Sequence, residues 1–127
     1  MINSVVVVDD YQPAAEAMCR LLKLLGHEAR SCADPDKCLE LIEQAKPDAI
    51  LLDIVMPGIS GLELVGPIRQ RLAKSCKIVA VTGHVDREMK TRCLAAGFDD
   101  FMVKPATIGE LEAVLGFNPS SSPPSAS

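Results

Sequence analysis

Short apolar runs alternate with segments of helical period along this chain, and few folds accept that order. Ser4-Val5-Val6-Val7-Val8, Ala49-Ile50-Leu51-Leu52, Lys77–Val81 and Asp100–Val103 are each four or five residues long. Runs this short and this apolar read as core strands covered on both faces, as in a parallel sheet between helices. Glu28–Cys32 alternates with polar residues and reads as an edge or near-edge strand. Between the strands, Pro13–Leu25 carries apolar residues at Ala14, Ala17, Met18, Leu21, Leu22 and Leu25, with Gly26 placed as a stop. Asp34 caps a helix to about Ala45, which Pro47 ends. A turn-rich loop, Met56-Pro57-Gly58-Ile59-Ser60-Gly61, precedes a helix from about Gly61 to Ala73, which Pro67 is expected to bend or delay. Asp86–Ala96 is helical up to Gly97, and Thr107-Ile108-Gly109-Glu110 has the pattern of a capping box opening a last helix to about Leu115.

Strands and helices in strict alternation imply an α/β fold: a doubly wound parallel sheet of five strands with five helices and right-handed crossovers. The length of 127 residues suits one domain. The expected boundaries are a domain over residues 1–116 and a Ser/Pro-rich tail or linker over 117–127, read as disordered. A 48% apolar content supports a packed globule. The net charge is −4 and no Lys/Arg stripe is clustered, which argues against direct nucleic-acid binding. No apolar run reaches the roughly 18 residues of a membrane span, and no signal segment opens the chain. Cys19, Cys32, Cys38, Cys76 and Cys93 show neither C-x-x-C nor zinc-ligand spacing, so free, largely buried thiols and a cytoplasmic location are expected.

In open parallel sheets the ligand site lies beyond the carboxyl ends of the strands, at a topological switch point. Beyond the core strands stand Asp9-Asp10, Asp53, Thr82-Gly83-His84 and Lys104-Pro105. Each has an ordinary explanation alone: an Asp can cap a helix, a Lys before Pro can be a solvated turn residue, and a lone His is more often a surface residue. Together they suit one chemistry. Three carboxylates at one rim offer hard oxygens, too few to cage Ca²⁺ but apt for Mg²⁺ that keeps several waters. Lys104 supplies a point charge for a phosphate oxygen, and Thr82 a hydroxyl donor. Phosphoryl transfer needs positioning and charge neutralisation, and a carboxylate can itself be the nucleophile. Asp53 is the candidate, since Asp9 and Asp10 more naturally share a metal.

The motifs Val7-Val8-Asp9-Asp10, Leu51-Leu52-Asp53-Ile54-Val55-Met56-Pro57-Gly58-x-x-Gly61, Val81-Thr82-Gly83 and Ala96-Gly97-Phe98-Asp99-Asp100-Phe101-Met102-Val103-Lys104-Pro105 resemble a response-regulator receiver domain of two-component signalling. The likeness runs from about Val5 to Leu115. It implies the flavodoxin-like strand order 2-1-3-4-5. It further implies that Asp53 takes a phosphoryl group from a phosphohistidine of a sensor histidine kinase or histidine phosphotransfer protein. Asp9, Asp10, Asp53 and the Val55 carbonyl would bind Mg²⁺, and Thr82 and Lys104 would hold the phosphoryl group. Thr82 and Phe101 would act as switch residues, while Val55 and His84 occupy the positions that tune phosphoryl lifetime. A phosphorylation-dependent dimer is a further partner that the resemblance allows. Such a chain would be no enzyme beyond self-phosphorylation and slow self-dephosphorylation.

Three rival readings fit these residues less well. A Mg²⁺-dependent aspartyl-phosphate phosphohydrolase of the haloacid-dehalogenase type needs a second carboxylate two residues after the nucleophile, where this chain has Val55. A flavodoxin-like electron carrier needs a first loop that cradles phosphate, and Asp9-Asp10-Tyr11 would repel one. A degenerate receiver that only binds partners is disfavoured by the intact acidic and lysine set. Free-standing regulator, receiver of a hybrid sensor kinase and phosphorelay intermediate all remain open as contexts.

Overall fold

The computed structural model describes residues 2–55, 60–72, 76–83, 86–104 and 106–116. His84, Pro105, residues 56–59 of the expected loop and the 117–127 tail lie outside the described residues. The order is β1 (Ser4–Val8), α1 (Gln12–Leu24), β2 (Glu28–Cys32), α2 (Pro35–Ala45), β3 (Ala49–Asp53), α3 (Gly61–Arg71), β4 (Lys77–Thr82), α4 (Arg87–Ala96), β5 (Asp100–Val103) and α5 (Ile108–Leu115). The strands form one parallel sheet in the order β2-β1-β3-β4-β5.

Two helical layers follow from the two-residue period of the strands. Val5, Val7, Leu51, Val79 and Val81 face a core shared with Ala15, Cys19 and Leu22 of α1 and Leu111 and Leu115 of α5. Val6, Val8, Ile50, Leu52, Ile78 and Ala80 face the other core, with Cys38 and Ile42 of α2, Leu64, Val65 and Ile68 of α3 and Cys93 of α4. Each fully buried Val, Leu or Ile contributes roughly 1.5–3 kcal/mol. The five cysteines are free, and four of them are buried.

Local chemistry sets the helix ends. After α1, Gly26 adopts φ +87°, and its N–H reaches the Lys23 carbonyl at 3.0 Å while the His27 N–H reaches that of Leu22 at 3.0 Å. This is a Schellman stop, which only a residue tolerant of the left-handed region accepts at low cost. Asp34 accepts the Asp36 N–H at 2.9 Å, and Asp86 that of Met89 at 2.8 Å. At α5 the Thr107 hydroxyl accepts the Glu110 N–H while Glu110 accepts the Thr107 N–H, completing the capping box.

Two expectations are corrected. Asp100–Val103 is not a core strand: β5 pairs only with β4, forms the sheet edge opposite β2, and buries Met102 alone among its residues. Pro67 does not delay α3, which begins at Gly61 and runs through it to Arg71. The loss of one N–H is outweighed there by burial of Leu64, Val65 and Ile68 on the same helix.

Candidate functional site

Parallel strands end together, so their last residues converge at one rim. Asp9 follows β1, Asp53 ends β3, Thr82 ends β4 and Lys104 follows β5. Asp9, Asp53 and Thr82 are buried, whereas Asp10 is exposed. Oxygens of Asp9, Asp10 and Asp53 all lie within 4.8 Å of one another. Lys104 Nζ donates to Asp9 Oδ2 at 2.7 Å and to Asp53 Oδ2 at 3.1 Å, tying two of the carboxylates together. The Lys104 N–H bonds the Thr82 carbonyl at 2.7 Å, which fixes the lysine at the end of β5.

The opposite oxygens of the same two acids meet backbone donors. Asp9 Oδ1 accepts the Tyr11 N–H at 2.9 Å, and Asp53 Oδ1 accepts the Val55 N–H at 3.1 Å. Each oxygen retains acceptor capacity, so the donor set is compatible with a hard divalent cation. Burial pushes the Asp53 carboxyl above its ordinary value. The Lys104 and Val55 hydrogen bonds pull it down without cancelling that, and the Asp9 charge adds to the rise. For Lys104, burial alone would favour the neutral amine, but the hydrogen bonds and charges of Asp9 and Asp53 outweigh it and hold the ammonium above its usual value. Among the described residues, three carboxylates around one ammonium leave the site short of positive charge.

Two neighbouring features shape the site, and sequence reading supplied neither the reason for Gly61 nor the cavity. A Cβ on Gly61 would lie 2.4 Å from the Asp53 carbonyl oxygen, so α3 starts against the backbone of the acidic strand and only glycine fits. A cavity of about 190 Å³ opens beside the acids, walled by Val7, Leu51, Val81, Met18 and Leu21 and left open by the small Ala14 and Ala17. Phe101, expected as a switch, is partly buried on β5, with Lys90 Nζ of α4 lying 4.5 Å from its ring centroid. A Lys eleven positions away gave no signal in the sequence, because the contact depends on how α4 packs on the sheet. Val55 leaves its side chain exposed, and nothing is described at His84.

Among known proteins, residues 5–116 match the model of the response regulator receiver domain. The chain is 36% identical over 105 residues to a cyclic di-GMP phosphodiesterase of Thermotoga maritima, covering 83% of this chain and 28% of that protein. It is 33% identical over 114 residues to the phosphate regulon transcriptional regulatory protein PhoB of Pseudomonas aeruginosa, covering 89% of this chain and 50% of the relative. The chain thus spans half or less of the length of these curated relatives. A crystal structure of a Burkholderia pseudomallei response regulator with a phosphorylated aspartic acid, calcium ion and citrate superposes with a TM-score of 0.82 at 26% identity. That match covers 89% of this chain and 66% of the other. With the family match spanning nearly all of the described residues and the strand order in agreement, this chain belongs to the response regulator receiver domains of two-component signalling.

Proposed function

We propose that Asp53 is the phosphoacceptor of this receiver domain, taking its phosphoryl group from a phosphohistidine of a sensor histidine kinase or histidine phosphotransfer protein. The observation that carries the reading is the placement of Asp53. It is buried at the rim, 3.1 Å from the Lys104 ammonium and within reach of Asp9 and Asp10. Asp53 supplies the attacking oxygen. Lys104 follows the charge onto the phosphoryl oxygens, and Thr82 at the end of the neighbouring strand donates its hydroxyl to one of them. Asp9, Asp10, Asp53 and the Val55 carbonyl would hold Mg²⁺, which when bound neutralises the charge of the incoming phosphoryl group. The exposed Val55 side chain cannot orient an attacking water, which favours a lasting acyl phosphate over rapid hydrolysis and speaks against the phosphohydrolase alternative.

In this reading the chain is a switch and no enzyme beyond its own phosphorylation and slow dephosphorylation. The phosphodiesterase activity and the transcriptional role named for its relatives are not carried over. The output surface is the face of α4, β5 and α5, on which a phosphorylation-dependent dimer is one outcome. Residues 1–116 form the receiver unit and 117–127 a Ser/Pro-rich tail or linker, within a free-standing regulator or a hybrid kinase. No described helix is long and apolar enough to cross a membrane. The free thiols suit the reducing cytoplasm, where we place the chain.

Incubation with phosphoramidate and Mg²⁺ should add one acid-labile phosphoryl group, and Asp53→Asn should remove it. Asp9→Asn and Asp10→Asn should each weaken Mg²⁺ binding. Undiminished labelling of Asp53→Asn would sink the assignment.

A further inference from the structure

Two apolar side chains stand exposed just beyond the site aspartates in the chain. Tyr11 is 64% and Val55 70% exposed, and each lies two residues after a site aspartate. The cause is the same in both. Each aspartate accepts the N–H of the residue two positions on, Asp9 from Tyr11 and Asp53 from Val55. Such a turn spends the carboxylate on fixing the local backbone and leaves the following side chain outside the core. Register makes the two residues counterparts. Val8 of β1 pairs with Leu52 of β3, so Asp9 and Asp53 come next on neighbouring strands, and Tyr11 and Val55 follow at equal spacing. An aromatic ring and a branched aliphatic group are therefore exposed at matching positions beyond two neighbouring strands, one of which ends in Asp53, itself only 5% exposed.

We propose that Tyr11 and Val55 form the contact for the imidazole ring of the phosphohistidine donor, an inference that rests on Asp53 being the phosphoacceptor. In-line displacement puts nucleophile and leaving group on opposite sides of phosphorus. With Asp53 buried at the rim, the leaving group lies outward, toward the exposed loops that carry these two side chains. The Asp53 oxygen–phosphorus bond forms as the phosphorus–nitrogen bond breaks, and the electron pair of the broken bond stays on the imidazole nitrogen. A ring already protonated on its other nitrogen departs as neutral imidazole, so the step needs no further proton. Until then the ring is flat and carries positive charge, which a phenol face attracts and stacks against. The Val55 methyl groups cover apolar ring surface on the opposite side. A phosphodonor without a ring gains from neither contact.

The test compares phosphoimidazole with phosphoramidate, which share the phosphorus–nitrogen bond but differ in the ring. For each protein, the ratio of the two rate constants for Asp53 phosphorylation in Mg²⁺ cancels any change at the acidic site itself. Tyr11→Ala should lower the phosphoimidazole-to-phosphoramidate ratio about fivefold, the order expected of one such ring contact. Val55→Ala should lower it about twofold, and Tyr11→Phe should keep the parent ratio. An unchanged ratio in Tyr11→Ala, with both donors still labelling Asp53, overturns the ring contact and leaves the phosphoacceptor reading standing. Failure of both donors to label the parent protein at Asp53 overturns both.

Discussion

Burial works against the negative charge of Asp53. Its folded carboxyl is raised above the ordinary 3.8 chiefly by desolvation, so the metal-free protein favours the protonated acid more than the unfolded chain does. A group raised in this direction contributes stability that is fully present below the unfolded value and is lost as pH rises through the folded one. Ionising Asp53 in the metal-free fold is therefore a cost that a bound cation would offset. Asp53→Asn removes the ionisation while keeping an oxygen for the Val55 N–H. In chelator, urea denaturation should find the variant at least as stable as the parent at pH 7, with the difference shrinking as pH falls toward 4. A variant clearly less stable at pH 7 would mean that the Lys104 pairing outweighs the desolvation. Sequence reading could list the acids but not this balance, because the burial of Asp9 and Asp53 and the exposure of Asp10 depend on how far each strand reaches past its neighbours.

At the scale of elements, the sequence was informative wherever structure is decided locally. The strand Ser4–Val8, the capping box at Thr107 and the stop at Gly26 depend on residues within a few positions of each other, and all are found where they were expected. Contacts between distant side chains were hidden, although the resemblance already implied the strand order. Arg69 of α3 donates to the carbonyls of Cys76 and Gly97 and pairs with Asp99, joining three elements that no periodicity connects. β5 looked like a core strand because its four residues are mostly apolar, yet its edge position and partial exposure follow from the crossover order. In the proposed function that edge takes part in switching. A phosphoryl group on Asp53 offers acceptors that would draw the Thr82 hydroxyl, freeing space for the Phe101 ring to turn inward. The Lys90 ammonium over that ring opposes the turn by about 0.5–1 kcal/mol. One new hydrogen bond and one ring burial supply roughly 2–4 kcal/mol. A full switch from one to 99% active needs about 5.5 kcal/mol. Phosphorylation alone should thus activate only partly. Thr82→Ala should keep most of the labelling yet lose the NMR shift changes in β5 and α5 that a phosphate mimic induces in the parent. Parent-like shifts in Thr82→Ala would refute the coupling.

Across the whole molecule, the two ends of the sheet do different work. The end opposite the site is tied down by neutral and charged hydrogen bonds: Lys77 to the Val114 carbonyl at 2.6 Å, the His27 ring N–H to that of Gly116 at 2.9 Å, and the Arg69 group. The carboxyl end carries concentrated like charge held, among the described residues, by Lys104, so it is the end that a bound cation or a phosphoryl group can rearrange. All of this depends on the phosphoryl group residing on one residue. Borohydride reduces an aspartyl phosphate to homoserine, leaving a permanent mark at the modified position. Peptide mass spectrometry of the phosphorylated and reduced protein should find homoserine at residue 53 and at no other aspartate. Homoserine at residue 9 or 10, or labelled protein with none at 53, would contradict the account.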